Sequence, residues 1–226
     1  MQNRVVAIVP AAGAGKRFGG NKIFATLKGL PVLAWVLRTL QSTEDIIEII
    51  PVLSGKDIEK GLKIVESFGI EKVKKIVPGG KERQDSVFRG ISAIDEEDCL
   101  VLIHDGVRPL IRDGLIKRVI AAVEGYDGAV AAVPVKDTIK LVDDNLVIKT
   151  PDRNTLMSAQ TPQVFPYRII LEGYNRVKIE GGFYTDDASI VEHYGGKVRV
   201  VEGDYRNIKI TTHEDLLIAE RLLEEE

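Results

Sequence analysis

Apolar runs alternate with stretches of helical periodicity along most of the chain. Val5, Val6, Ala7, Ile8 and Val9 form a continuous apolar run that predicts a buried strand. Pro31 opens a helix with Val32, Trp35, Val36 and Leu40 on one face. A strand over 46–53, a helix over about 57–68 and a strand over 73–77 follow. The turn Pro78-Gly79-Gly80 leads into a helix with Val87, Phe88, Ile91 and Ile94 at helical spacing. A strand over 99–103, a helix over 114–123 and a strand over 129–133 complete the alternation. Strands and helices in this order predict βαβ units, a mainly parallel sheet and an α/β fold.

The alternation breaks between Pro134 and about Pro166. Residues 138–142 and 146–150 read as two strands joined at Asp143-Asp144-Asn145, a β-hairpin signal. A lone hairpin is marginal in water and needs something to pack on. Residues 135–165 are therefore expected to form an arm reaching a second subunit, the competing reading being a hairpin folded back on its own domain. Helices over 167–177 and 187–194, a strand over 198–201 and a helix from 214 close the chain. No repeat or low-complexity stretch divides it, so residues 1–226 read as one domain carrying the arm.

Composition narrows the class. Of 226 residues, 44% are hydrophobic, enough for a real core, and no segment approaches a membrane span. The first strand begins at Arg4, leaving no room for a charged-then-apolar leader. The single Cys99 rules out an intrachain disulfide, fits a reducing cytoplasm, and reads as core filler. A net charge of −3 argues against a nucleic-acid-coating protein. Charged residues at 29%, beside few Asn and Gln, lean toward a heat-adapted source.

The chemistry concentrates where strands end. The first apolar run empties into PAAGAGKRFGGNK, which carries Lys16, Arg17 and Lys22 within seven residues. Small residues let backbone N–H groups approach an anion, and the cations neutralise it. A strand feeding such a loop is a common cradle for nucleotide phosphates. A Walker A loop is excluded, because Gly15-Lys16 is followed by Arg17 and the first required glycine falls on Pro10. The dinucleotide fingerprint fails too: G-A-G-K-R-F-G is one residue too long, and the second strand ends in Ser54-Gly55 without a carboxylate. The remaining alternative is an ordinary turn, which would not need three cations.

Two further strand ends carry polar clusters, and two more cations, Arg153 and Lys209, stand later in the chain. In PGGKERQDS, Asp85 and Ser86 suit a helix cap, and they could also read a base's amino and carbonyl groups. In His104-Asp105-Gly106-Val107-Arg108-Pro109, Asp105 could bind a phosphate-borne metal or a sugar hydroxyl, or pair with Arg108. His104 reads as a satisfied core histidine. Only three histidines occur, and no metal cluster or Ser–His pair is obvious. Lys209 stands alone in the apolar stretch Asn207-Ile208-Lys209-Ile210-Thr211, where it either snorkels or reaches a phosphate. Arg153 in TPDRN could equally make a surface ion pair.

Taken in order, PAAGAGKR, GGKERQDSV, HDGVRP, PVKDTIK, DRN, the TPQ within 160–163, TDDAS and NIKIT resemble the 2-C-methyl-D-erythritol 4-phosphate cytidylyltransferases over nearly the whole chain. The resemblance implies a Rossmann-like nucleotidyltransferase core and a homodimer with interlocking hairpin arms. It implies CMP transfer from CTP to a polyol phosphate, methylerythritol phosphate, with magnesium or another divalent cation. Arg17 and Lys22 would stabilise charge on the α-phosphate and the leaving pyrophosphate. Arg153 and Lys209 would hold the acceptor phosphate, Arg153 reaching across the dimer. Asp105 would place the metal or acceptor hydroxyls, and Arg108, Thr138 and Thr185 would line the acceptor side. Ala11, Ala12, Gly13, Ala14, Gly15, Gly80, Asp85 and Ser86 would hold the nucleotide.

Two departures stand out: Asn21-Lys22-Ile23 in a shortened loop where Pro-Lys-Gln is usual, and HDGVRP for the commoner HDAARP. Neither removes a charge. Two rivals remain open: a cytidylyltransferase for another polyol phosphate such as ribitol 5-phosphate, and a nucleotide-binding regulatory module without turnover.

Overall fold

Strand β1 (Val5–Pro10) is apolar throughout, and its side chains alternate between two cores. Val5, Ala7 and Val9 face one layer, while Val6 and Ile8 face the other. That two-sided burial is what an all-apolar run means in a parallel sheet. Each fully buried aliphatic side chain of this kind contributes roughly 1.5–3 kcal/mol. The computed structural model describes residues 4–13 and 15–225.

The chain continues through a small hairpin, β2 (Thr26–Leu27) and β3 (Leu30–Pro31), into α1 (Val32–Ser42), which begins directly after Pro31. Strand β4 (Ile46–Leu53), helix α2 (Ile58–Ser67), the short β5 (Val77–Pro78) and helix α3 (Arg83–Ile91) follow. Then come β6 (Leu100–Ile103), α4 (Asp113–Ala121) and β7 (Gly128–Pro134). The arm carries β8 (Leu141–Asp143) and β9 (Leu146–Lys149). The chain ends with β10 (Met157–Pro166), α5 (Tyr167–Glu180), α6 (Asp187–His193), β11 (Val198–Glu202) and α7 (His213–Glu224).

Seven strands form one sheet in the order β11-β7-β10-β6-β1-β4-β5. All pairings are parallel except those of β10, which runs antiparallel to β6 and β7. Residues of α1 and α4 pack on one face, and residues of α3, α5 and α6 on the other. From β1 the chain first builds outward through β4 and β5, then returns to place β6 on β1's other side. The carboxyl end of β1 is therefore the switch point where open α/β sheets bind ligands.

Three details differ from the sequence reading. The expected strand over 73–77 shrinks to a bridge between Val73 and Ile49 plus the two residues of β5. Residues 157–165, assigned to the arm, instead form β10 in the middle of the main sheet. Gln160, Thr161, Pro162 and Gln163 look like loop because proline cannot donate to a ladder, and the pairing register shifts between Ala159 and Gln163 to accommodate them. The hairpin itself is present but shorter, with Asp144 and Asn145 at φ 41° and 63°, as a two-residue turn requires. It forms its own two-stranded sheet, and Leu141, Val142, Leu146, Val147 and Ile148 are all exposed.

Candidate active site

Two glycine-bearing loops meet beyond the end of β1. Gly15 has φ 62°, and a Cβ there would lie 2.0 Å from the Gly20 carbonyl oxygen. Gly79 packs so closely on the first loop that a Cβ would lie 2.3 Å from that of Ala12. Backbone bonds to the end of β4 hold the two loops together: Ala11 N–H donates to Val52 O (2.8 Å), and Gly79 N–H to Leu53 O (2.7 Å). Ser86 completes the junction, its Oγ accepting from Gly80 N–H (3.1 Å) and donating to Glu82 O (3.1 Å).

Between these loops lies a cleft of about 410 Å³. Among the described residues, the cations Arg17, Lys22, Lys81, Arg83 and Lys209 line it against the carboxylates of Glu82 and Asp105. Lys22 is half-buried, and its pKa falls below the ordinary lysine value. Burial is the main cause, followed by repulsion from Lys209 and Arg17, with Asp105 and Asp215 opposing. Cations arriving from two separate segments, the first loop and the stretch around Lys209, thus feel one another. An entering polyanion relieves that repulsion.

Asp105 anchors the floor. Its Oδ2 accepts from Lys209 Nζ at 2.7 Å and its Oδ1 from Arg83 Nε at 3.1 Å. Burial alone would raise its pKa, but Arg83, Lys209 and Arg108 hold it far below the usual carboxylate range. Arg83 forks between loops: Nη1 and Nη2 donate to Asp187 at 3.1 and 2.7 Å, and Tyr174 Oη donates to the same carboxylate at 2.6 Å. Burial disfavours this guanidinium's charge, yet Asp187 and Asp105 outweigh it and raise its pKa. Such a buried, fully paired fork is rigid.

His104 serves the scaffold. Buried against Thr161 Oγ1 (3.0 Å) and Arg108 O (3.2 Å), it is pushed down to about 4 by burial and stays a neutral imidazole. Arg108 donates Nη1–H to Asn207 O at 2.7 Å, which fixes the segment carrying Lys209. Its Nε lies 3.8 Å from Asp105, so the expected turn ion pair exists but is long. Cys99 is half-buried, with Sγ donating to Glu96 O, and burial beside Glu96 and Asp98 pushes the thiol up to about 12. A thiol so protonated is inert.

Of the residues singled out from sequence, Ala11, Ala12, Gly13, Gly15, Arg17, Lys22, Gly80, Ser86, Asp105 and Lys209 converge on this cleft. Ala14 lies outside the described residues. Asp85 does not line the cleft, and its carboxylate caps α3 through the Glu82 N–H (3.0 Å). Arg108, Thr138, Arg153 and Thr185 do not line it either. Thr138 and Arg153 belong to the exposed arm, where Arg153 Nη1 donates to Lys136 O (3.0 Å). Thr185 sits on an exposed bend before α6.

Sequence reading passed over Lys81, Glu82 and Arg83, although Lys-Glu-Arg directly after two glycines carries the same signal as the first loop. Asp187 could not be found that way, because its partner is 104 residues distant. Among the described residues no three His, Cys, Asp or Glu side chains converge to hold a metal. Asp105, ionised on the cleft wall, is placed to share a cation that brings phosphate oxygens as its other ligands.

The chain is similar to known proteins over nearly its whole length. The sequence model of IspD, 2-C-methyl-D-erythritol 4-phosphate cytidylyltransferase, matches residues 5–225. A protein of that name from Geotalea uraniireducens is 48% identical over 225 residues, covering 97% of each chain. Another, from Alkaliphilus oremlandii, is 44% identical, covering 98% of this chain and 95% of its own. Among solved structures, 4-diphosphocytidyl-2C-methyl-D-erythritol synthase from Anaerococcus prevotii superposes with a TM-score of 0.89 at 34% identity, covering 99% and 100% of the two chains. The cytidylyltransferase from Thermus thermophilus gives 0.79 at 32% identity, covering 98% of each.

Proposed function

The chain belongs to the 2-C-methyl-D-erythritol 4-phosphate cytidylyltransferase family, and from that premise we propose how its residues divide the work. The enzyme transfers CMP from CTP to 2-C-methyl-D-erythritol 4-phosphate and releases pyrophosphate, in isoprenoid precursor synthesis. An acceptor phosphate oxygen forms a bond to the α-phosphorus as the bond to the β-phosphate bridging oxygen breaks, and the electron pair leaves on pyrophosphate. A phosphate monoester with its second pKa near roughly 6 is mostly dianionic at neutral pH, so no general base is required. The obstacle is repulsion between two polyanions, and the remedy is preorganised positive charge.

One observation carries this reading: Arg17 and Lys22 from the first loop and Lys209 from nearly 190 residues later face one cleft at the sheet's switch point. Arg17 and Lys22 hold the triphosphate beside the amides of the glycine loop, while Lys209 draws in the acceptor phosphate. Gly80 and Ser86 shape the nucleoside end. A magnesium ion fits the donor set, because Asp105 is kept ionised at the cleft wall and the phosphates complete the shell. When bound, the ion would neutralise phosphate charge.

The remaining acceptor contacts come from a partner. Arg153 and Thr138 stand away from their own cleft on an arm whose apolar residues are exposed, Leu146 at 74%. An arm of this kind suits a homodimer in which each hairpin covers the neighbouring site, with Arg153 gripping the acceptor there. Thr185 and Arg108 support the acceptor side less directly. A cytoplasmic location completes the reading, since CTP and an unpaired Cys99 both belong to a reducing compartment.

Pyrophosphate release tests the reading. CTP with methylerythritol phosphate is expected to give turnover, and ATP, GTP or UTP little. Equal release with ribitol 5-phosphate would move the acceptor assignment, and tight CTP binding without release under any acceptor would leave a binding module. Lys209 on the acceptor side speaks against the latter, because holding CTP alone does not require it.

A further inference from the structure

Lys22 lies in a segment with little regular structure of its own. Residues 15–20 carry three glycines, and Lys22 opens a single 3₁₀ turn, Lys22–Phe24. Its ammonium shares the cleft with Arg17 and Lys209, which disfavour its charge after burial does. A segment this rich in glycine needs anchors on both sides if Lys22 is to be in place before substrate arrives. On the C-terminal side the anchor is Ile23, 1% exposed and embedded in the first core.

On the N-terminal side the holding contact is polar. Asn21 Nδ2 donates to Asp57 Oδ2 at 2.7 Å. Asp57 is 6% exposed and sits where a 3₁₀ turn, Gly55–Asp57, enters α2, its N–H bonded to Ser54 O at 2.8 Å. The carboxylate is therefore fixed by the scaffold beyond β4, and the asparagine is fixed by the carboxylate. Among the described residues Asn21 Oδ1 is buried without a hydrogen-bond partner, so the bond to Asp57 is the side chain's one polar anchor there.

We propose that Asn21 and Asp57 form a brace that positions Lys22 for the transferring phosphate. Neither residue lines the cleft. They act through Lys22 and are positioning residues. The proposal rests on Lys22 serving the reaction, as argued above, and adds how this chain secures it where the loop is short.

The test is a double-mutant cycle read in single-turnover kcat and in CTP affinity. Asn21→Ala is expected to lower kcat about 10- to 100-fold, the scale of a 1 Å misplacement, with CTP Kd within threefold. Asp57→Asn keeps an acceptor for Asn21 Nδ2 and should restore most of the rate that Asp57→Ala loses. In a Lys22→Ala background, Asn21→Ala should change kcat less than twofold, because the group it positions is gone. A purely architectural contact would lower stability and multiply the loss equally in both backgrounds, which overturns the brace. Unchanged kcat in both Asn21→Ala and Asp57→Ala overturns it as well. Near-normal turnover in Lys22→Ala alone overturns the parent reading, and the brace with it.

Discussion

Replacing Lys22 with alanine lowers kcat by about 10²–10³-fold while CTP Kd changes only a few-fold. The split follows from where the charge is needed. In the proposed ground state several lining cations and the loop amides share the triphosphate, so losing one of those cations should leave affinity largely intact. In the transition state, charge grows on the bridging oxygen and pyrophosphate, and a nearby ammonium gains strength there. The site already shields half-buried Lys22 from part of its water, and burial is the main cause of its lowered pKa. A desolvated charge interacts more strongly with a developing oxyanion than a solvated one. Steady-state turnover and isothermal titration with CTP separate the two effects. Turnover near the parent level would remove Lys22 from the chemistry.

Replacing Arg153 with alanine lowers kcat/KM for methylerythritol phosphate by about 10²-fold or more, with CTP binding unchanged. The guanidinium is exposed on the arm, and the bond from its Nη1 to Lys136 O leaves further N–H donors for a phosphate. Because Arg153 does not line its own cleft, the deficit should be curable from the partner subunit. Mixing Lys22→Ala with Arg153→Ala subunits produces heterodimers with one site intact in both groups. Random pairing predicts recovery to roughly a quarter of parental activity in a two-fold dimer. No recovery would place Arg153 in the cleft of its own subunit or outside the reaction.

The legible part of this fold was its parallel half. Apolar runs such as Val5–Val9 and 46–53 announce buried strands because both faces need hydrophobic residues. Strand β10 was illegible for a physical reason: Gln160 and Gln163 point into polar interior networks, and Pro162 interrupts the ladder. Gln163 Oε1 accepts from the Asp187 and Ala188 N–H groups, a role no periodicity could signal. In the site, cations beside glycines were readable because glycine-rich turns with clustered charge have few other uses. Arg83 was not singled out, because its worth lies in joining Asp105 to Asp187 across the fold. Asn21 appeared only as a departure in a shortened loop, and its meaning needed Asp57, 36 residues away.

A crystal structure with CTP and magnesium bound tests the central claim most directly. The account predicts a triphosphate lying against the amides that follow Pro10, with Arg17 and Lys22 within about 3.5 Å of its oxygens and Lys209 facing the open side of the α-phosphate. A triphosphate bound elsewhere, or one with Lys22 and Lys209 turned into solvent around it, would contradict the account.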